Sequence, residues 1–156
     1  MKLRNDVKQW RTVARVVLAA NAALVGVWAL FAPANFYKSF PGLGRSWISG
    51  DGPFNEHLVR DVGGLNLSLL VLTIAALWLG QKTMTRVAGL VWLPFALPHV
   101  IYHIAHVDHL SSTFDKFAVT GSLALTAVVA LAIAVSPNVD RMFSGSCQRP
   151  RRRLTG

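Results

Sequence analysis

The segment "LVRDVGGLNLSLLVLTIAALWL", Leu58–Leu79, decides the fold. Beyond Arg60 and Asp61 it carries no charge to its end. A helix rises about 1.5 Å per residue, so about 20 apolar residues cross a hydrocarbon layer of about 30 Å. Three more runs of the same kind flank it: Val13–Phe31, Val87–Val107 and Phe117–Val135. The expected fold is therefore all-α, an integral membrane four-helix bundle. The first run has the basic start of a signal peptide, but it is longer than a usual signal core and three further spans follow, so it reads as a mature helix.

Composition agrees. Of 156 residues, 53% are hydrophobic and only 15% are charged, and the charges gather outside the apolar runs. Lys2, Arg4, Lys8, Arg11 and Arg15 lie before or at the start of the first span, Lys82 and Arg86 between the second and third, and Arg141, Arg149, Arg151, Arg152 and Arg153 after the fourth. Basic residues near span ends are retained on the cytoplasmic side, so the N-terminus and C-terminus are both expected to be cytoplasmic. The net charge of +9 then reports topology, with anionic lipid headgroups as a further partner for the tail. No aromatic interleaving or binding module accompanies the basic residues, which argues against nucleic acid. Residues 1–136 form one membrane domain, and 137–156 a basic tail expected to be disordered. The lone Cys147 falls in that tail, which excludes a disulfide framework and a cysteine metal motif and leaves palmitoylation as a modification without further support.

This topology places a long aromatic outer loop between helices 1 and 2, with Phe36, Tyr37, Phe40, Trp47 and Phe54 among glycines and prolines. Loops of that length commonly act as lids, whereas aromatics at this depth also form headgroup belts. A loop folded back over the bundle satisfies both. At the start of the fourth span, Ser112 and Asp115 have capping-box spacing, which makes Asp115 structural rather than catalytic.

Two polar motifs meet on the outer side. "PHVIYHIAHVDHL", Pro98–Leu110, holds four of the five histidines, and "NEHLVRD", Asn55–Asp61, holds the fifth. At about 100° per residue, His99, Tyr102, His103, His106 and His109 form one stripe, and Asp108 points away. Asp61 lies at a similar depth, while Glu56 and Arg60 are spaced to pair with each other. Pro94 and Pro98 remove backbone donors, so a kink is expected where the stripe begins.

Ionisable groups within a bilayer are costly, and by default they mark a function. Asp61, His99, His103 and His106 supply the donor types of a zinc or iron site, with copper a further option at an outer mouth. His57 and Glu56 are candidates for a fourth ligand, a partner of the ligands or a general base, and Tyr102 is the candidate for orienting water or substrate. Two other readings stand beside this one: a hydrogen-bonded or pH-responsive histidine seam, and a haem held by His57 and His103.

"FPGLGRSWISGDGPFNEHLVRDVGGLNLSLLVL" together with "PHVIYHIAHVDHL" resembles a family of small bacterial four-helix integral membrane proteins of unknown function, loosely DoxX-like in hydropathy. The likeness covers about Phe31–Val135, and its pattern falls on Asn55, Glu56, His57, Arg60, Asp61, Gly63, Pro98, His99, Tyr102, His103, His106 and Asp108. The resemblance implies a multi-pass protein of the bacterial cytoplasmic (inner) membrane in which both motifs belong to one unit. It implies no reaction.

The functional expectation is a membrane protein that binds a transition metal; whether it is an enzyme is left open, and if it is one, metal-assisted hydrolysis or oxidation of a lipid-like substrate is the most concrete chemistry. Five histidines are too few for an eight-histidine di-iron enzyme. The alternatives are an accessory subunit of a homo-oligomer or larger membrane complex, favoured by the small-residue run "AANAALVG", Ala19–Gly26, and a lipid or quinone carrier.

Overall fold

A computed structural model describes residues 2–110 and 112–135, and the basic tail with Cys147 lies outside the described residues. The described chain is helical apart from one small hairpin. Its elements are α1 (Lys2–Phe31), α2 (Pro33–Ser39), β1 (Pro41–Gly42), β2 (Arg45–Ser46), α3 (Glu56–Leu79), α4 (Lys82–Ala105), a 3-10 turn (Val107–His109) and α5 (Thr113–Ala134). Among them, α1, α3, α4 and α5 are long and apolar enough to cross a membrane.

Local chemistry sets the boundaries. The side chain of Asn55 accepts from Leu58 N at 3.1 Å and caps α3, with Glu56 in the first turn where the helix dipole favours an acid. Gly80, at φ 62°, ends α3 in the left-handed conformation that costs glycine least. The α4 helix runs as one element through both Pro94 and Pro98, and whatever bend they introduce does not end it. Ser112 holds the N-cap position of α5 but its side chain makes no cap hydrogen bond, so the expected capping box is not built.

Packing is inside-out by the standard of a water-soluble protein. Alanines at 14, 22, 29, 76, 88, 96, 127 and 130 are buried, while Val71, Ile74, Trp78, Leu97, Ile101, Val128 and Leu131 are exposed. Apolar burial drives folding only where the alternative is water. In lipid, small residues that allow close backbone approach do more, and large apolar side chains face the hydrocarbon. The outward belt and the small-residue interior both point to a membrane protein.

Two glycines mark the closest approaches. A Cβ on Gly63 would lie 2.5 Å from Leu30 N of α1, and one on Gly89 would lie 2.6 Å from Ala134 N and 2.7 Å from Ala130 O of α5. Together with Gly26 against Leu67, these contacts fix α1 antiparallel to α3 and α4 antiparallel to α5. Within the small-residue run of α1, Ala22 and Gly26 are buried, as is Ala29 beyond it, while Ala20 is exposed.

At the end carrying the N-terminus, all four long helices close around Trp92, which is 0% exposed, in a cluster with Ala14, Leu18, Leu69, Ala130 and Ile133. The polar atoms here are paired. Trp92 Nε1 donates to Thr73 Oγ1 at 3.0 Å, and Thr73 Oγ1 donates to Leu69 O at 2.7 Å. Arg15, also buried, donates to Ala76 O at 2.6 Å, Arg11 O at 3.1 Å and Thr85 Oγ1 at 3.1 Å. Its guanidinium joins α1, α3 and α4.

Candidate functional site

At the opposite end the helices do not close. A cavity of about 270 Å³ lies between α1, α3, α4 and α5, roofed by the 33–51 segment. Its walls are mostly apolar, with Val25, Val62, Phe95, Ala96, Val119 and Leu123 contributing. The polar groups that reach it come from separate elements: Asn21 of α1, Asn66 of α3, His99 and His103 of α4, Ser122 and Thr126 of α5, and Asp51 of the roof.

The roof is folded, since the long outer loop contains a short helix and a hairpin. Pro33 sits in the first turn of α2, where a missing N–H costs nothing. Leu43 and Gly44, at φ 56° and 73°, form the two-residue turn of the hairpin, whose register pairs Pro41 with Ser46 and Gly42 with Arg45. Positive φ at both turn positions matches the right-handed twist of a hairpin. An aromatic run faces down from this roof, with ring centroids of Phe36 and Phe40 4.8 Å apart and those of Phe40 and Trp47 6.0 Å apart.

Asp115 of α5 fastens the roof to the bundle. Its Oδ1 accepts from Trp47 Nε1 at 2.8 Å and pairs with Arg45, whose guanidinium also lies 4.4 Å from the Phe114 ring centroid. Tyr37 Oη donates to Gly52 O at 2.5 Å and lies 3.2 Å from Ser49 O, which sets the turn carrying Asp51 at the cavity. The structural role expected for Asp115 is the one it has, although Trp47 and Arg45 of the roof are its main partners and Ser112 at the cap a lesser one.

The histidine stripe divides. His99 and His103, one turn apart, stack with ring centroids at 4.9 Å and both line the cavity, with Phe95 5.1 Å beyond His99. His106 stands past the helix end, at φ −119°, and its ring stacks on Tyr102 at 4.2 Å while its Nδ1 lies 2.9 Å from Tyr102 O. Neither His106 nor Tyr102 lines the cavity, and both are exposed. Helical periodicity places a residue only as far as the helix lasts, and α4 ends at Ala105.

The other motif also turns outward. His57 Nε2 and Asp61 Oδ2 lie 3.4 Å apart on a face where their side chains are 88% and 61% exposed. Glu56 pairs with Arg60 at 2.8 Å as expected, and Arg60 also donates to Leu30 O at the end of α1. The residues of α3 that do line the cavity are Leu58, Val59, Val62 and Asn66. Asp61 shares the depth of the histidines but not their direction. Asp61, His99, His103 and His106 are thus not brought together, nor do His57 and His103 face one cavity. Among the described residues no three His, Cys, Asp or Glu side chains are grouped as a metal site requires.

Of the polar cavity residues, Asn21, Asp51, Asn66, Ser122 and Thr126 were not site candidates in the sequence. Asp51 belongs to a Gly- and Ser-rich stretch that carries no periodic signal. Asn66 was legible in principle, as the one amide inside the apolar run of α3, since a buried polar residue in a membrane helix needs a reason. It is 1% exposed.

Comparison with known proteins places no relative beside this chain: no family model, curated protein or solved structure matches it.

Proposed function

We propose that this chain is a multi-pass protein of the bacterial cytoplasmic membrane, with both termini in the cytoplasm, that binds a small amphipathic, lipid-like molecule at its outer end. The observation that carries this reading is the roofed cavity of about 270 Å³, apolar in its walls and reached by polar groups from four helices and the roof. Ligand sites are concave, mostly apolar and set with a few convergent polar groups. An engineered apolar cavity of about 150 Å³ takes benzene, so this one has room for a substituted ring or a short lipid segment. The aromatic roof covers the ligand, and the polar groups of the lining, Asp51, Asn66, His99 and His103 among them, are those that can meet its polar end. A carrier or sensor of such a molecule needs nothing more, and the cytoplasmic basic residues serve orientation and contact with anionic lipids.

A second reading keeps a transition metal, zinc, iron or copper, on His99 and His103 alone. What favours it is that their rings face one cavity from successive turns of one helix. Two imidazoles make an incomplete set for any of these metals, so the remaining positions belong to a ligand, to water or to a carboxylate such as Asp51.

Both readings are tested on protein purified in mild detergent from its native membrane. Mass spectrometry of the extract is expected to find a lipophilic molecule near one per chain, and Val62→Phe, which fills the cavity, is expected to remove it. The same molecule at the same ratio in the filled variant refutes the cavity reading. Elemental analysis of the same samples decides the second: metal that survives dialysis and is lost in His99→Ala, His103→Ala establishes it, and its absence ends it.

A further inference from the structure

The cavity carries a more specific requirement, in the side chain of Asn66. Its Nδ2 donates to Val62 O at 2.9 Å, one turn back on its own helix. A carbonyl can only accept, so the end of the amide facing Val62 is the NH2 end and the orientation is settled by that bond. The other end, Oδ1, is buried and has no hydrogen-bond partner among the described residues. A buried acceptor left unpaired is expensive, and most native examples are paired.

Four donors of the bundle are committed elsewhere. Ser122 Oγ donates to Val119 O and Thr126 Oγ1 to Ser122 O, each at 2.9 Å along α5. The indole N–H groups of Trp47 and Trp92 go to Asp115 and Thr73. The N-terminal end of the same bundle shows that this chain pairs its buried polar atoms where no ligand is expected: Trp92, Thr73 and Arg15 are bonded to partners on the chain.

We infer that the cavity selects a ligand that donates a hydrogen bond to Asn66 Oδ1: a lipophilic alcohol or phenol, in preference to the ether, ester or ketone of the same shape. The inference rests on the cavity being a ligand site and adds which end of the ligand is read and by what. Around Asn66 the walls are apolar, with Val25, Val62, Phe95 and Ala96 on the same cavity, so the hydroxyl sits on an otherwise hydrocarbon body. His99 and His103 do not discriminate in this way, because a neutral imidazole presents one donor and one acceptor and so takes either kind of group. Asn66 Oδ1 accepts only.

The probes are para-hexylphenol and para-hexylanisole, which differ by methylation of the one hydroxyl. Each is titrated calorimetrically into the full chain in detergent, with empty micelles as the blank. The phenol is expected to bind about tenfold more tightly than the anisole, the effect of one hydrogen bond against an acceptor otherwise left buried and unpaired. In Asn66→Leu that preference is expected to fall to about twofold or less, with the anisole binding no more weakly than before. In His99→Phe the preference is expected to persist. Equal affinities for the two probes in the native chain overturn the inference and leave the cavity reading standing, and this comparison needs no variant to fold. A preference that survives Asn66→Leu but disappears in His99→Phe also overturns it. Failure of both probes to bind, together with no co-purifying molecule, overturns the inference and the cavity reading at once.

Discussion

The two ends of the bundle are built from the same four helices and differ in how they treat polar atoms. At the N-terminal end Trp92, Thr73, Arg15 and Thr85 form a closed set, each donor matched to an acceptor on another turn or another helix. At the roofed end the helices stand apart, and Asn66 keeps a buried acceptor unmatched among the described residues. A polar group that is fully paired inside a protein is a fastening. One that is buried and unpaired is a defect in stability unless something outside the chain completes it. The same chain contains both, so composition alone does not separate structural from functional polarity. Pairing does.

The comparison breaks most plainly at Trp92. Truncating a wholly buried tryptophan removes its packing and orphans Thr73 Oγ1 of a donor, and Trp92→Ala is expected to cost about 3–5 kcal/mol. Thermal denaturation in detergent would show it, together with loss of ligand binding because the helices no longer hold their spacing. Val62→Phe at the other end is expected to have the opposite profile, with binding lost and stability unchanged within about 1 kcal/mol or improved, since it fills space that is empty of side chains. Should Trp92→Ala prove mild, or Val62→Phe prove as damaging, the division between a structural end and a binding end would not hold.

Close approach at glycine sharpens the same point. Gly89→Ala places a methyl against Ala134 N and Ala130 O, backbone atoms that cannot rotate away, and is expected to cost about 1–3 kcal/mol by forcing α4 from α5. Gly64→Ala, one residue from the equally tight Gly63 but with nothing within 4 Å, is expected to be neutral or slightly stabilising. A matched pair of melting curves separates the two.

A smaller effect is expected where the roof joins the bundle. Asp115→Asn keeps an acceptor for Trp47 Nε1 but removes the charge facing Arg45. Because that pair is partly exposed, the loss of stability is expected to be small. Hydrogen exchange is the better probe, with faster exchange confined to the hairpin around Pro41–Ser46 and the long helices unaffected. Faster ligand release in the same variant would identify the roof as the way out of the cavity.

How much of this the sequence disclosed differs between spans, roof and site. The ends of the apolar runs at Phe31 and Leu79 are also helix ends, because a glycine or proline follows closely and the helix stops there. The helices begin before those runs, α1 at Lys2 and α5 at Thr113, since backbone hydrogen bonding continues into charged residues that the hydrocarbon excludes. The roof was read as irregular because α2 and the hairpin are each too short for a periodic pattern, although "PGLG" does mark the turn between β1 and β2. For the site, residue spacing gave depth along the helix correctly and angle around it only in part. His99 and His103 were placed on one face and are on one face. Asp61 was promoted on depth alone, and depth does not say which neighbour a face meets. That information lies in the packing of Gly63 on Leu30, which rotates α3 so that Val62 and Asn66 face the cavity and Asp61 does not.

The smallest effects are therefore expected where the sequence concentrated its ionisable groups. Glu56→Gln, His57→Ala, Asp61→Asn and Tyr102→Phe alter exposed side chains outside the cavity. Each is expected to change stability by no more than about 0.5 kcal/mol and to leave ligand and metal content as they were. Of the four, Asp61→Asn is the most telling, because Asp61 was the carboxylate that united the two histidine motifs in one site. A loss of bound metal or of ligand in that variant would mean that α3 turns about its axis in the membrane and brings His57 and Asp61 inward. The glycine contact opposes such a turn, because rotation would carry larger residues into the gap where Gly63 touches Leu30. Unchanged binding in Asp61→Asn, beside lost binding in Val62→Phe one residue away, would fix the angular setting of α3 and with it the identity of the face that carries the function.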